Sequence, residues 1–459
     1  MRTIYLSILL CITPLLVQSQ NTYTLDSTVL TARTVITGID IPWEIVWGPD
    51  DHIWMTERFG RISRVNPTSG AQDVLLDLSS EVYVRSEAGL LGMVLHPEFE
   101  SNPYVYCAYT YLSGNNILEK LVQYTYDGDS LSSVKTILDN IKGNTTHIGS
   151  RLLITPDKKL LMTTGDAQDQ TLPQNVTSLV GKVLRLNLDG SIPSDNPNPD
   201  SYVWSWGHRN AQGLCLAPNG VLYSSEHGPT TDDELNILQV NRNYGWPKVH
   251  GLCDIPNETT FCNDSNVFEP LAVWTPTIAP SDIAWYDHPA IPEWQNKLLM
   301  TVLKNKQLIA FSFDNGGTSV VKQDVYFTNE FQRLRDICIS PSGRVYLATN
   351  GNSWQNNNPF THSIIELSNV AYHTAQVKEI ERTNQARLFP NPVTRGQMVH
   401  INLKSNTGKL KLYNALGQLV MNEPIGASGN VGIASPAGMY TYVVEQQNGH
   451  VLKGTLFVQ

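Results

Sequence analysis

A short turn-and-strand unit recurs six times along the chain and limits its fold more than any other sequence feature. Each copy has a turn with Pro, Asp, Asn or Gly, followed by an apolar strand that ends near Thr or Ser. The copies are GPDDHIWMTE from Gly48, HPEFESNPYVYCAYT from His96, TPDKKLLMTTGD from Thr155, APNGVLYSSEHG from Ala217, PEWQNKLLMTV from Pro292 and SPSGRVYLATN from Ser340. The roughly 45 to 75 residues between copies can hold four strands and their loops.

The repeats predict an all-β fold. Residue types alternate with a period of two, which is typical of half-buried antiparallel strands, and helical periodicity is scarce. Radial repetition of four-stranded sheets is a β-propeller, so we predict a six-bladed propeller over residues 30–367. Two unrelated β-sandwiches in series are the alternative, and the spacing of the repeats favours the propeller.

Both ends of the chain differ from the repeats. Arg2 precedes an apolar run from Ile4 to Val17, and Val17-Gln18-Ser19 forms a small-residue cleavage pattern, so residues 1–19 are predicted to be a secretory signal peptide. A transmembrane helix is the alternative, but the run is shorter than a bilayer span and Pro14 interrupts it. Residues 368–385 are polar and predict a linker, and the alternating strands of residues 386–459 predict a small β-sandwich.

Charge and cysteine content exclude several classes of function. The net charge is -10 and no run of Lys or Arg is present, so nucleic acid is not expected as a partner. No C-x-x-C-H sequence for covalent haem attachment occurs. Cys253 and Cys262 flank a polar loop and could form a disulfide in an oxidising compartment.

His147 and Asp166 stand at the two ends of the segment THIGSRLLITPDKKLLMTTGD, which reads as a β-hairpin. A carboxylate at Nδ1 of a histidine fixes the tautomer and leaves Nε2 to accept a proton. The spacing therefore makes His147 a candidate base and Asp166 its partner. A structural histidine is the alternative.

Cations and oxygen donors stand in other segments between strands. Arg209 and Asn210 lie in GHRNAQGL, Lys304 follows an apolar strand, and Arg333 and Arg335 point to the same side of their strand. Converging cations in an acidic protein indicate a small polyanionic ligand, whereas surface ion pairs are the alternative.

The segment EHGPTTDDELNILQVNRNYGWP combines a Gly-Pro turn with acidic residues. Backbone carbonyls at Gly228 and Pro229, together with Glu234 and Tyr244, are oxygen donors of the kind that calcium prefers. A plain acidic turn is the alternative.

These motifs, with EAGLLGMVLHPEF, GKVLRLNLDGSIPSDNP and WTPTIAPSDIAWY, closely resemble the soluble quinoprotein glucose/sorbosone (aldose sugar) dehydrogenase family over about residues 35–367. The resemblance implies a six-bladed propeller that binds pyrroloquinoline quinone (PQQ) and Ca²⁺. It also implies oxidation of an aldose at C1 to the lactone, with electrons passing to an external acceptor. A non-enzymatic propeller that binds a sugar or a protein is one alternative, and a calcium-dependent lactone hydrolase is another.

The resemblance gives each candidate residue an expected role. His147 resembles the general base and Asp166 its orienting partner. Residues expected to hold the cofactor are Arg209, Asn210, Lys304, Arg333 and Arg335, and Glu87 joins them where the family commonly has Gln. The carbonyls of Gly228 and Pro229 resemble ligands of a catalytic calcium, and Glu234 and Tyr244 resemble ligands of a structural one. A carboxylate at position 87 is expected to change the pH optimum or the substrate preference.

The C-terminal segment resembles the sorting domain of type IX secretion, through LFPNP, the strand GMYTYVV and Lys453. The resemblance implies export through the outer membrane by the type IX machinery, then cleavage. We therefore expect a secreted or cell-surface protein that is not an integral membrane protein. A carbohydrate-binding sandwich is the alternative for this segment.

Overall fold

The computed structural model describes residues 21–352, 362–374, 388–401, 408–426, 429–446 and 451–459. The predicted signal peptide and most of the predicted linker lie outside these residues. The chain forms two compact units, one ending at Asn369 and the other beginning at Val370.

The first unit is built from antiparallel β-strands. In chain order they are β1 (Asn21–Thr24), β2 (Val29–Ile39), β3 (Pro42–Trp47), β4 (Ile53–Glu57), β5 (Arg61–Val65), β6 (Gln72–Asp77), β7 (Leu90–Leu95), β8 (Tyr104–Ser113), β9 (Asn116–Tyr126), β10 (Leu131–Lys142), β11 (Gly149–Ile154), β12 (Lys159–Thr164), β13 (Lys182–Asn187), β14 (Val203–Trp206), β15 (Ala211–Leu216), β16 (Leu222–Glu226), β17 (Asp233–Ile237), β18 (Ala272–Trp274), β19 (Pro280–Tyr286), β20 (Lys297–Val302), β21 (Gln307–Phe313), β22 (Val320–Tyr326), β23 (Leu334–Ile339), β24 (Val345–Thr349) and β25 (His362–Ser368). A short helix, α1 (Pro256–Asp264), lies between β17 and β18, and a disulfide joins Cys253 to Cys262.

These strands form six sheets within the described residues. Five sheets have four strands in sequence order, namely β3–β6, β7–β10, β11–β14, β15–β18 and β19–β22. The sixth has the order β23-β24-β25-β2-β1, so strands from both ends of the unit share it. The predicted all-β class is confirmed.

The six sequence repeats supply the second strand of each sheet, namely β4, β8, β12, β16, β20 and β24. Strands β4, β16 and β24 are buried at every residue, so they lack the alternation of buried and exposed positions that the repeats predict. For β4 and β16, the reason is that apolar side chains of neighbouring sheets pack on both faces of the strand. Exposed positions occur mainly on outer strands such as β10 and β22.

The first strands of the sheets, β3, β7, β11, β15, β19 and β23, are called the inner strands. Each inner strand packs against the next one along the chain, and β23 also packs against β3. The inner strands therefore follow one another in a closed circle.

A buried ion cluster joins four of the inner strands. Arg151 Nη1 on β11 lies 2.6 Å from Glu44 Oε2 on β3 and 2.7 Å from Asp336 Oδ1 on β23, and its Nε lies 3.5 Å from Asp282 Oδ1 on β19. Burial raises the pKa of Glu44 to about 8 and that of Asp336 well above its ordinary value, although Arg151 opposes both shifts. Arg151 is therefore the cation that offsets several buried carboxyl groups.

The second unit has its own small core. Its strands are β26 (Leu388–Phe389), β27 (Met398–Ile401), β28 (Gly408–Tyr413), β29 (Leu419–Ile425), β30 (Asn430–Gly432), β31 (Gly438–Gln446) and β32 (Val451–Val458). They form the sheets β26-β27-β30 and β29-β28-β31-β32. One apolar cluster includes Val399 and Ile401 from the first sheet and Leu410 and Leu412 from the second. In the described part of the chain, no helix has the length and apolar character needed to span a membrane.

Replacing Arg151 with Met is expected to lower the free energy of unfolding by about 3–5 kcal/mol, because it leaves buried carboxyl groups without their cation. Urea unfolding of the purified chain measures the change. Lys158 pairs with Glu98 at 2.7 Å with both side chains 51% exposed, so Lys158→Met is expected to cost less than about 1 kcal/mol. Similar losses in the two variants would contradict this assignment.

Candidate active site

The candidate residues gather at one end of the inner strands because the first two strands of each sheet are antiparallel. Gly149 at the start of β11 pairs with Thr164 at the end of β12, and Ala211 pairs with Glu226 in the same way. Residues that precede the first strand therefore lie at the same end as those that follow the second. Glu87, His147, Arg209, Asn210 and Arg333 precede inner strands, whereas Asp166, Gly228, Pro229 and Lys304 follow second strands.

His147 and Asp166 form a hydrogen-bonded pair. Nδ1 of His147 lies 2.7 Å from Oδ1 of Asp166, and the His147 side chain is 18% exposed while that of Asp166 is 1% exposed. Asp166 also accepts hydrogen bonds from the Trp246 indole at 2.9 Å and from the backbone N–H of Gln168 at 2.7 Å. The carboxylate is therefore fixed on several sides, and the imidazole faces partly outward.

Arg209 determines the tautomer of His147. Its Nη2 lies 3.1 Å from His147 Nε2, and a guanidinium can only donate, so Nε2 accepts. His147 Nδ1 therefore carries the hydrogen that is donated to Asp166. Arg209 also donates to the His227 carbonyl at 3.0 Å and lies over the Trp246 ring at 5.3 Å. Burial lowers the pKa of Arg209.

A cavity beside this pair contains most of the predicted cofactor-binding charges, and we call it the arginine cavity. Its charged lining residues are Arg58, Glu87, Arg333 and Arg335, and Trp43, Gln212, His227 and Asn350 also line it. The Glu87 carboxylate accepts the backbone N–H of His147 at 2.8 Å, which links the cavity to the His147–Asp166 pair.

The cavity contains buried polar atoms without partners. Nε of Arg58, Arg333 and Arg335 and Oδ1 of Asn350 are buried and make no hydrogen bond within the described residues. Burial lowers the pKa of Arg333, and burial together with the charge of Arg333 lowers the pKa of Arg335 to about 9. The guanidinium groups nevertheless remain protonated at neutral pH. The cavity is therefore suited to an anion.

Asn210 and Lys304, two of the predicted cofactor residues, are not among the residues that line the arginine cavity. Asn210 is buried, and its Oδ1 accepts from the Gly149 N–H and from Gln212, both at 3.1 Å. Lys304 is exposed and donates to the Thr277 hydroxyl at 2.9 Å.

The Gly228-Pro229 turn lies in a loop with closely spaced carbonyl groups. A Cβ at Gly228 would lie 2.0 Å from the Thr231 carbonyl oxygen, so only glycine fits there. The N–H of Gly228 donates to Asp233 at 2.8 Å, and no hydrogen bond to the Gly228 or Pro229 carbonyl is found within the described residues. In the same part of the chain, no group of three or more His, Cys, Asp or Glu is placed to hold a metal ion.

Glu234 and Tyr244 are not joined by a hydrogen bond. Glu234 accepts from the Gly251 N–H at 3.0 Å and from Asn236 at 2.9 Å, and burial followed by the charge of Glu226 raises its pKa to about 8. The Tyr244 hydroxyl instead donates to the Ile237 carbonyl at 2.7 Å. It also accepts the backbone N–H of Gln239 at 2.8 Å.

Several residues of the site were not predicted from the sequence. Trp43, Arg58, Gln212 and His227 line the cavity, and Trp246 holds Asp166. The signal for Gln212 and Trp246 was available, because they stand inside the motifs GHRNAQGL and NYGWP. Arg58 stands directly after a repeat, in a position that resembles an ordinary charged turn.

Comparison with known proteins identifies the family. The family model for glucose/sorbosone dehydrogenase matches residues 39–356. The chain belongs to the glucose/sorbosone dehydrogenase family. The prediction that it is an oxidoreductase of this family is confirmed, and a secretion system C-terminal sorting domain matches residues 387–458.

Proteins similar to this chain include sugar dehydrogenases. Quinoprotein glucose dehydrogenase B of Acinetobacter calcoaceticus is 29% identical, and the match covers 75% of this chain and 91% of that protein. Aldose sugar dehydrogenase YliI of Escherichia coli is 30% identical, with coverage of 69% and 88%. The PQQ-bound aldose sugar dehydrogenase of Streptomyces coelicolor has a TM-score of 0.64 and 30% identity, and the match covers 74% of this chain and 98% of that one. These neighbours support the propeller architecture.

Replacing Gly165 with Ala is expected to disturb the backbone of His147. A Cβ at Gly165 would lie 1.9 Å from the His147 carbonyl oxygen, and we expect a loss of about 1–3 kcal/mol in the free energy of unfolding. Gly316 has its nearest neighbour at 3.4 Å, so Gly316→Ala is expected to stay within about 0.5 kcal/mol of the parent chain. Urea unfolding compares the two, and equal stability would show that the contact is relieved without cost.

Proposed function

We propose that this protein is a calcium- and PQQ-dependent dehydrogenase that oxidises an aldose at C1 to the lactone and passes the electrons to an external acceptor. One observation carries the proposal: the His147–Asp166 pair stands beside a cavity lined by three arginines whose buried Nε atoms have no partner. A base next to an anion-binding cavity is the arrangement that such a reaction needs.

The chemistry of the cavity fits PQQ. This cofactor carries three carboxylates and two quinone oxygens, all of which accept hydrogen bonds, and the guanidinium groups of the cavity only donate. Arg333 and Arg335 are proposed to hold cofactor oxygens, together with Arg209 and the unpartnered Nδ2 of Asn210. Lys304 is proposed to contribute from the rim. When bound, the quinone supplies a two-electron acceptor for hydride.

His147 is proposed to take the proton of the sugar C1 hydroxyl at Nε2. That lone pair accepts from Arg209 in this structure, so the hydroxyl must replace Arg209 as the partner of Nε2. Asp166 then stabilises the imidazolium that forms, and the Trp246 N–H keeps the carboxylate in place. The Glu87 carboxylate accepts a hydrogen bond from the backbone N–H of His147 and so fixes the backbone at that residue.

Calcium is proposed at two places. The carbonyls of Gly228 and Pro229 are available to a cation beside the cofactor, where it would polarise a quinone oxygen. Glu234 is proposed as a ligand of a second ion, supported by the buried Oδ1 of Asn236 that lacks a partner and by the nearby charge of Glu226. Since the Tyr244 hydroxyl is occupied, Tyr244 is proposed to act through its backbone carbonyl.

The six-bladed propeller, the C-terminal sandwich and the export route are also proposed, as the resemblance to the family implies. The six sheets correspond to six blades, supported by the circle of inner strands, and the second unit corresponds to a small sandwich, supported by its shared core. The signal peptide and the sorting domain are proposed to direct the chain through the outer membrane by type IX secretion. The external acceptor is then reached outside the cell.

The first test mixes the purified chain with CaCl₂ and PQQ and follows reduction of a dye across a panel of aldoses. Turnover that requires both additions is the expected result. Binding of the quinone without oxidation of any aldose would count against the dehydrogenase. A chain that binds no quinone would support the sugar- or protein-binding propeller instead.

His147→Gln is expected to lower turnover by about 100- to 10,000-fold, because it removes the proton acceptor. Affinity for PQQ, measured by equilibrium dialysis, should stay close to that of the parent chain. His52 lies outside the arginine cavity, and His52→Gln serves as the control that keeps turnover. Loss of quinone binding in His147→Gln would instead indicate a structural histidine.

Glu234→Gln is expected to remove the stabilisation that calcium gives to the chain. An ion at a hundred times its Kd stabilises a folded protein by about 2.7 kcal/mol, which thermal unfolding detects. The melting temperature of the parent chain should rise with CaCl₂ and that of the variant should rise less. Glu98 is about half exposed, so Glu98→Gln is the matched control. An equal calcium response in the parent and Glu234→Gln chains would exclude Glu234 as a ligand.

A further inference from the structure

Arg58 is the charged residue of the arginine cavity to which no role has been given above. It follows β4 directly, and its backbone is fixed at both polar atoms. Its N–H donates to the Ile41 carbonyl at 2.9 Å, and its carbonyl accepts the Leu90 N–H at 2.9 Å. Gly89 leaves room for the side chain, because a Cβ there would lie 2.4 Å from Arg58 Cγ. The chain therefore builds a specific position for this arginine.

The guanidinium of Arg58 has no carboxylate partner among the described residues. The residue is 5% exposed, its Nε is buried without a hydrogen bond, and it forms no ion pair within the described part of the chain. The next arginines along the chain differ, since Arg61 pairs with Glu57 at 2.7 Å and Arg64 pairs with Asp50 at 3.2 Å. Arg58 lies against the Phe59 ring at 5.2 Å instead.

An unpaired buried cation is costly unless a ligand supplies the missing anion. Burial lowers the pKa of Arg58 to about 10, while the charges of Asp40 and Glu87 oppose the shift. The charged groups that line the cavity are Arg58, Arg333, Arg335 and the single carboxylate of Glu87. The cavity therefore has a surplus of positive charge, and the surplus faces the space that a ligand would occupy.

We propose that Arg58, the third arginine that lines the cavity, binds the carboxylates of the quinone cofactor together with Arg333 and Arg335. The proposal rests on the proposed function, because it identifies a further residue toward the same cofactor. A guanidinium matches a carboxylate through two parallel N–H groups, and a trianionic ligand offsets the surplus charge of the cavity. Arg58 binds the cofactor and takes no part in proton transfer.

The test measures PQQ affinity in CaCl₂ by equilibrium dialysis of the purified full chain. Arg58→Gln is expected to raise the Kd about 10- to 100-fold, the effect of losing a hydrogen bond to a charged group. Arg64→Gln makes the same change of charge outside the cavity and is expected to stay within about twofold. Arg58→Lys keeps the charge without the planar fork, so an intermediate Kd is expected.

The melting temperature of the cofactor-free chain separates binding from structure. If Arg58 serves a ligand, Arg58→Gln removes an unpaired buried charge and leaves this temperature equal or higher. A lower melting temperature together with the loss of affinity would overturn the proposal and make Arg58 structural. Equal PQQ affinity in the parent and Arg58→Gln chains would also overturn it. If the parent chain binds no PQQ, the proposed function fails as well.

Discussion

Antiparallel pairing between the first two strands of each sheet is the constraint on which the site depends. It places the residue that enters an inner strand beside the residue that leaves the second strand, and it does so in several sheets at once. His147 and Asp166 meet because Gly149 pairs with Thr164, although nineteen positions separate them. The inner strands then bring loops that are distant in sequence to one end of the molecule. The chemistry is thus assembled from short loops on a rigid support.

The interior balances charge in two different ways. Below the inner-strand ends, Arg151 offsets several buried carboxyl groups, so its positive charge is satisfied within the protein. In the arginine cavity, Arg58 and Arg333 form no ion pair within the described residues, and their buried Nε atoms make no hydrogen bond there. The first arrangement stabilises the fold, whereas the second is compatible with a bound anion. Buried arginines of this protein can therefore stabilise the fold at one place and provide charge for a ligand at another.

The sequence predicted the all-β class because the repeated turn and strand are local signals, and it placed His147 and Asp166 at the ends of one hairpin. It missed Arg58, because only the fold brings this residue beside Arg333 and Arg335. Trp246 stands inside a recognised motif, but its hydrogen bond to Asp166 joins two segments that are far apart in sequence. Lys304 was predicted to bind the cofactor from its position after a strand, and this stays a prediction, because its exposed side chain donates to Thr277 in this structure. A sequence motif can mark a loop as functional, but only the folded structure shows which loops lie next to each other.

The sixth sheet has a consequence for the order of folding. Strand β2 pairs with β25, and Arg33 donates to Glu366 across 333 positions of sequence. Contacts between such distant segments form slowly, because closing a long loop costs conformational entropy before the contacts can form. The other five sheets each use one continuous stretch of chain and can form before this closure. In a nascent chain, the edge of β2 that pairs with β25 therefore stays unpaired until β25 has been synthesised. An unpaired strand edge is prone to aggregation.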